Sequence, residues 1–189
     1  TQTKTKELQA ILDEDQLTLE KIGNYIQFWN VKSRLFQILH QQGRARSADE
    51  LEKFKSIIDT ALLKSEDKAL YFETKYLFHH IYSAYFFAAG DYKQCYEHLG
   101  KLLLHIDSNK DQFKEEPNIY FSVLTNIIYV TSQLNNYKQS FHYLEQLRAL
   151  PEALRLNSNE DLDIKLFSST NSIELTLYAI TGQFDKGIN

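Results

Sequence analysis

The sequence predicts an all-α protein built from helical hairpins, and three observations carry that expectation. Proline occurs twice and glycine six times in 189 residues, where average usage would supply about ten and thirteen. An all-β chain needs many Gly/Pro turns, and an α/β nucleotide-binding fold needs a Gly-rich loop. Aromatic residues reach 13%, with 12 Tyr and 12 Phe, bulky groups suited to filling the space between packed hairpins. One short turn motif also recurs along the chain, as described below.

The elements follow from start and stop signals. Asp13 with Gln16 three residues later resembles a capping box. It predicts a helix from there to about Gln41, preceded by a short one over 5–12. Leu17, Ile22, Ile26, Trp29, Leu35, Ile38 and Leu39 give the long helix its apolar spacing. Gly43 ends it. Ser47 and Glu50 form a second capping box, and Leu51, Phe54, Ile57, Ile58, Ala61 and Leu62 supply one apolar face. Ser65 is the expected N-cap of a third long helix reaching Ala89. Gly90 breaks it, and Asp91 opens a fourth helix to about Ile106.

The stretch 107–116 is polar and forms the longest joint. Pro117 suits the first turn of the next helix, where its missing N–H costs nothing. That helix ends near Leu134, Asn135-Asn136 is a turn signal, and a helix over 137–150 is closed by Pro151. Ser158 and Asp161 form a further capping box before a helix to about Thr181, which Gly182 ends, and one more helix begins after it. Short joints make successive helices antiparallel. The expected hairpins cover about 15–64, 66–106, 117–150 and 158–189, the last incomplete. The chain starts at Thr1, lacks methionine and stops inside a helical pattern, which reads as a piece of a longer protein.

Charge and cysteine usage narrow the function. The net charge is −4, so nothing electrostatic favours nucleic acid, which selects a basic face. The compact basic cluster Gly43-Arg44-Ala45-Arg46 sits in a joint and reads as solvated. Cys95 is the single cysteine, which rules out an internal disulfide and a multi-Cys metal site. No apolar run approaches the roughly 18 residues of a membrane span. No signal-peptide pattern follows the polar start, and a cytoplasmic location is expected.

The recurring motif is Gly90-Asp91-Tyr92-Lys93-Gln94, Asn135-Asn136-Tyr137-Lys138-Gln139 and Gly182-Gln183-Phe184-Asp185-Lys186. Its aromatics fall at 92, 137 and 184, spaced by 45 and 47, and a small residue follows each: Cys95, Ser140, Gly187. Gly or Asn permits the left-handed backbone that reverses the chain. The aromatic packs across the hairpin, and the small residue lets the helices approach. A hairpin that leaves one flank bare must stack on a neighbour.

This turn, with Ser83, Phe86 and Gly90 ahead of it and with Tyr178 and Gly182 at the last one, resembles the tetratricopeptide-repeat (TPR) family over about 66–189. The period is longer than the family's usual 34 or so, and Ile128, Thr131 and Asn135 depart from its pattern. Residues 15–65 match only through helix length and Gly43. The resemblance implies a right-handed α-α superhelix of about four hairpins. A non-repeating helical bundle is the alternative.

No arrangement of residues argues for catalysis. His79 and His80 are adjacent and point about 100° apart on a helix. His98 and His105 are two turns apart, and His40 and His142 have no ligand-type neighbours in a recognised pattern. Cys95 takes a small hairpin position and reads as buried and inert. Acidic clusters such as Asp13-Glu14-Asp15, Glu115-Glu116 and Glu160-Asp161 fall at helix starts or joints, where they suit the helix dipole. No Gly-rich phosphate loop or nucleophile elbow occurs. The chain is expected to be no enzyme and to need no cofactor or metal.

In TPR-like proteins the first helices of the hairpins line a concave face that holds protein or peptide partners. The resemblance implies that Leu77, His80, Ala84 and Phe87 line it, then Ser122, Thr125, Tyr129 and Gln133, then Ser169, Ser172 and Thr176. The first pair adds Asn30, Ser33 and Gln37. Lys and Arg are absent from this set, so the family's clamp for a terminal carboxylate is not expected. The hydroxyls, amides and Tyr129 suit an extended peptide backbone, and Phe87 an apolar contact. The alternative is a solvated face, or one filled by the rest of the parent protein. The leading expectation is a peptide- or protein-binding scaffold. The second is a peptide-responsive regulatory domain whose effector lies outside this segment.

Overall fold

The structure, a computed structural model, describes residues 2–155 and 160–187. The described residues are all-helical, with no strand among them. They divide into two compact units between Gly90 and Asp91, so the helices expected to pair in the 66–106 hairpin belong to different units.

Unit 1 holds α1 (Gln2–Gln42), α2 (Ala48–Ile58) and α3 (Phe72–Ala89). The break expected at Asp13 is absent, because nothing there stops a helix. Gln9 donates to the Asp13 carboxylate at 2.9 Å and Gln16 donates to Glu20 at 3.2 Å, so both residues serve one-turn pairs inside a continuous helix. The helix ends where Gly43 turns left-handed, at φ 70°. Ser47 caps α2 through the Glu50 N–H at 3.2 Å, while the Glu50 carboxylate reaches back to the Arg46 N–H at 2.7 Å. This is a capping box displaced by one residue.

The third long helix also differs from expectation. Ser65 caps only a 3₁₀ turn over Glu66–Lys68. The helix starts at Phe72, where the Thr74 hydroxyl accepts from the Tyr71 N–H at 3.0 Å and donates to the Tyr71 carbonyl at 2.9 Å. The intervening segment is held by Asn24 of α1. Its amide donates to the Lys68 carbonyl at 2.9 Å and accepts from the Leu70 N–H at 3.2 Å. Phe28, Val31 and Leu35 of α1, Phe54 and Ile57 of α2, and Leu77, Phe78 and Ile81 of α3 form the core of the unit.

Unit 2 holds α4 (Tyr92–Asp107), α5 (Lys110–Phe113), α6 (Pro117–Gln133), α7 (Tyr137–Arg148), α8 (Leu150–Ala153) and α9 (Glu160–Ile180). Helix α4 packs on α6, α6 on α7, and α7 on α9. The polar joint over 107–116 contains α5, whose Phe113 is buried. Pro151 does not close the helix before it. Helix α7 ends at Arg148, and Pro151 lies in the first turn of α8, between the fully buried Leu150 and Leu154. Ser158 lies outside the described residues. After Gly182 the chain forms a 3₁₀ turn over Phe184–Gly187.

Three turns anticipated from the repeat have the expected backbone. Gly90, Asn135 and Gly182 are left-handed, at φ 76°, 58° and 70°. The N–H groups of Asn136 and Gln183 reach back to the carbonyls of Thr131 and Tyr178 at 2.9 and 2.8 Å, closing two helices in the same way. Asp91 and Asn136 then cap α4 and α7 through the N–H groups of Gln94 and Gln139. Between α6 and α7, Thr131 and Ser140 put two buried hydroxyls 2.9 Å apart.

Candidate binding faces

In unit 2 the anticipated stripe on α6 reaches the surface. Ser122, Tyr129 and Gln133 are exposed and Thr125 is half-buried. On α9, Ser172 and Thr176 are exposed and Ser169 is half-buried. The two stripes are connected at one end. Lys165 Nζ donates to Asn118 Oδ1 at 2.7 Å, across 47 residues, and lies 4.4 Å from the Phe121 ring centroid. Asn118 is four residues before Ser122, and Lys165 four before Ser169. Each therefore continues its own stripe by one helical turn. The second helices also touch across nearly one period, through the hydroxyls of Tyr96 and Tyr143 at 3.1 Å.

The sequence reasoning missed Lys165, although its i−4 spacing from Ser169 was available to find it. The α9 stripe is thus not free of cations. The single ammonium is already engaged by an amide and a ring, unlike a set of converging basic groups that could clamp a carboxylate.

The hydroxyls on these stripes are less available than their number suggests. Thr125 donates to the carbonyls of Phe121 and Ser122 at 3.1 and 3.0 Å, and Thr176 donates to Ser172 at 2.8 Å. Such back-bonding uses the proton and leaves oxygen lone pairs as acceptors. Tyr129 meets Tyr92 edge-on at 6.2 Å between centroids, which orients its ring.

Unit 1 corrects the expected set more heavily. Leu77 and Ala84 are buried core residues of α3, because α3 packs on both α1 and α2 and needs a broad apolar surface. Phe87 is half-buried, and Asn30, Ser33 and Gln37 are exposed along α1. His80 sits against the rings of Phe36 and Tyr76, at 5.0 and 5.3 Å between centroids. Its Nδ1 is buried without a hydrogen-bond partner among the described residues. Burial, with a smaller effect of the Lys32 charge, pulls its pKa down to about 3, so the ring is neutral near pH 7. Beside it, Lys32 lies over Trp29 at 4.5 Å and over Phe36 at 5.7 Å.

The reactive residue types are separated. His79 is buried, with Nε2 3.3 Å from the Glu66 carboxylate. The Cys95 thiol is buried, and desolvation first, then Asp91, push its pKa up to about 12. Such a thiol carries almost no nucleophilic thiolate near neutrality. Among the described residues, no three His, Cys, Asp or Glu side chains gather as a metal would require. No described helix is long and apolar enough to cross a membrane. A depression along α7 is lined by Asn136, Lys138, Gln139, Phe141, His142 and Glu145. One helix supplies that whole lining, so it encloses nothing. No protein-family model matches this chain, and the curated proteins and solved structures compared with it contain no match either.

Proposed function

We propose that this chain is a TPR-like repeat scaffold that holds an extended peptide or protein segment on the α6–α9 face of unit 2, without transforming it. The observation that carries the proposal is the pair of stripes one period apart, Ser122–Thr125–Tyr129 and Ser169–Ser172–Thr176, connected through Asn118 and Lys165. Helices one repeat apart that share a face are what stacked hairpins produce. Lone pairs on the hydroxyls accept from peptide N–H groups, and Tyr129 supplies a rigid amphipathic anchor at low entropy cost. Within unit 2, the buried Cys95 thiol speaks against a nucleophile near either stripe.

Selection of a random peptide library on the whole chain, followed by fluorescence anisotropy of the winners, tests this. Binders are expected to lose about fivefold to thirtyfold in affinity with Tyr129→Ala, or about 1–2 kcal/mol. They are expected to compete with one another. An empty selection, or binders indifferent to substitutions at Tyr129, Ser122 and Ser172, would refute the proposal.

A further inference from the structure

The N-terminal half of α1 carries a second apolar surface that the repeat reading does not use. Leu8, Leu12, Leu19, Ile22, Ile26 and Trp29 are between 44% and 65% exposed. Together with Asp15 they alternate at spacings of four and three: 8, 12, 15, 19, 22, 26, 29. That is an a/d seam over three heptads, about 32 Å long at 1.5 Å per residue. The buried residues of the same helix, Phe28, Val31 and Leu35, point roughly 180° away from it at 100° per residue. One face of α1 therefore holds the core of unit 1, with Phe28 edge-on to Phe78 at 6.5 Å. The opposite face stays exposed from Leu8 to Ile26, and at its end Lys32 lies over the Trp29 ring.

We propose that this seam pairs with the same seam of a second copy of the chain, antiparallel, as a two-stranded coiled coil. Three features select that occupant. The flanking positions carry no charge from Gln9 to Asn30; they include Ile11, Gln16, Thr18, Gly23 and Tyr25. Charges at those positions choose a different partner or repel an identical one, and this seam does neither. Asp15 sets the direction. Parallel copies would oppose two Asp15 carboxylates inside the seam, whereas antiparallel pairing places a positions against d positions, so Asp15 never meets itself. The size is also sufficient. With free side-chain areas of about 200 Å², the exposed fractions of these six residues amount to ~630 Å² per copy and ~1,270 Å² per pair, at the lower end of the range of stable interfaces. Because the core of unit 1 lies on the far face of α1, a two-fold pair keeps both copies of that core outside the contact.

Sedimentation equilibrium of the whole chain at about 1–100 μM tests this. The expected species is twice 22.2 kDa. Leu19→Glu with Ile26→Glu is expected to return it to 22.2 kDa while cooperative unfolding persists. Asp15→Leu is expected to lower the dimer dissociation constant at least tenfold, a gain that misfolding cannot imitate. Leu8→Cys is expected not to cross-link to itself under mild oxidation, because antiparallel pairing sets the two positions at opposite ends of the seam. A monomer throughout the range overturns the proposal. So does a dimer indifferent to the Glu pair, ready self-cross-linking at position 8, or a seam that binds foreign helices while the chain alone stays monomeric.

Discussion

The two units bury comparable cores with different kinds of element. Unit 2 is made of helices with clear ends: left-handed Asn135 and Gly182, capping Asp91 and Asn136, and Pro117 at a helix start. Unit 1 is dominated by one helix of 41 residues with no internal stop and two opposed apolar faces, followed by a segment of 3₁₀ turns fastened by Asn24. The difference shows where chain organisation comes from. In unit 2 it comes from local turn chemistry, which reads the same in any context. In unit 1 it comes from long-range contacts, above all the grip of α1 on the segment before α3.

The largest effects that sharpen this comparison concern the cores. Phe54→Ala in unit 1 and Leu144→Ala in unit 2 each remove a fully buried side chain. They are expected to destabilise by about 3–5 and 2–5 kcal/mol, read from denaturant midpoints. Hydrogen exchange should show the loss of protection starting in the unit that carries the substitution. Equal loss in both units from either variant would erase the distinction.

Smaller effects test the buried hydroxyl pair of unit 2. Ser140→Ala and Thr131→Val each break the 2.9 Å hydroxyl contact, at an expected cost of about 1 kcal/mol. Thr131 keeps its size in Val and Ser140 loses only an oxygen. The double variant should therefore cost less than the sum of the singles. Strict additivity in a double-mutant cycle would mean that the pair is not coupled.

A further effect is a pH slope confined to unit 1. The folded-state pKa of His80 is about 3, below the unfolded value near 6.5. Between those values the unfolded chain binds a proton that the folded chain does not, so stability rises with pH there and falls on acidification below about 6.5. His80→Phe is expected to flatten the loss of melting temperature between about pH 7 and pH 5. An unchanged slope would show that the imidazole titrates normally.

Legibility in the sequence followed how local each feature is, not which unit it belongs to. The breaks at Gly43, Gly90, Asn135 and Gly182 and the helix starts at Ser47 and Asp91 were readable, because each is set by residues within one turn of it. The start expected at Asp13 was wrong because Asp-x-x-Gln occurs as readily inside a polar helix as before one. Ser65 was a real cap, but of a 3₁₀ turn. The α6 and α9 stripes came from the register that the resemblance implies, and most of their residues reach the surface. Leu77 and Ala84 did not, because spacing defines a face of α3 and only packing partners decide whether that face is covered. Phe113 and Lys165 were missed for the same reason: one is buried inside a polar joint, and the other is engaged by a residue 47 positions away.

The all-helical class, the period of 45 to 47 residues and the chemistry of the turns were determined by the sequence alone. They depend on backbone freedom and on hydrogen bonds between near neighbours. Tertiary structure decided which face of each helix is covered, the division at Gly90, the continuity of α1 and the neutrality of His80. Each of these depends on which distant atoms exclude water, and no local pattern of residues encodes that.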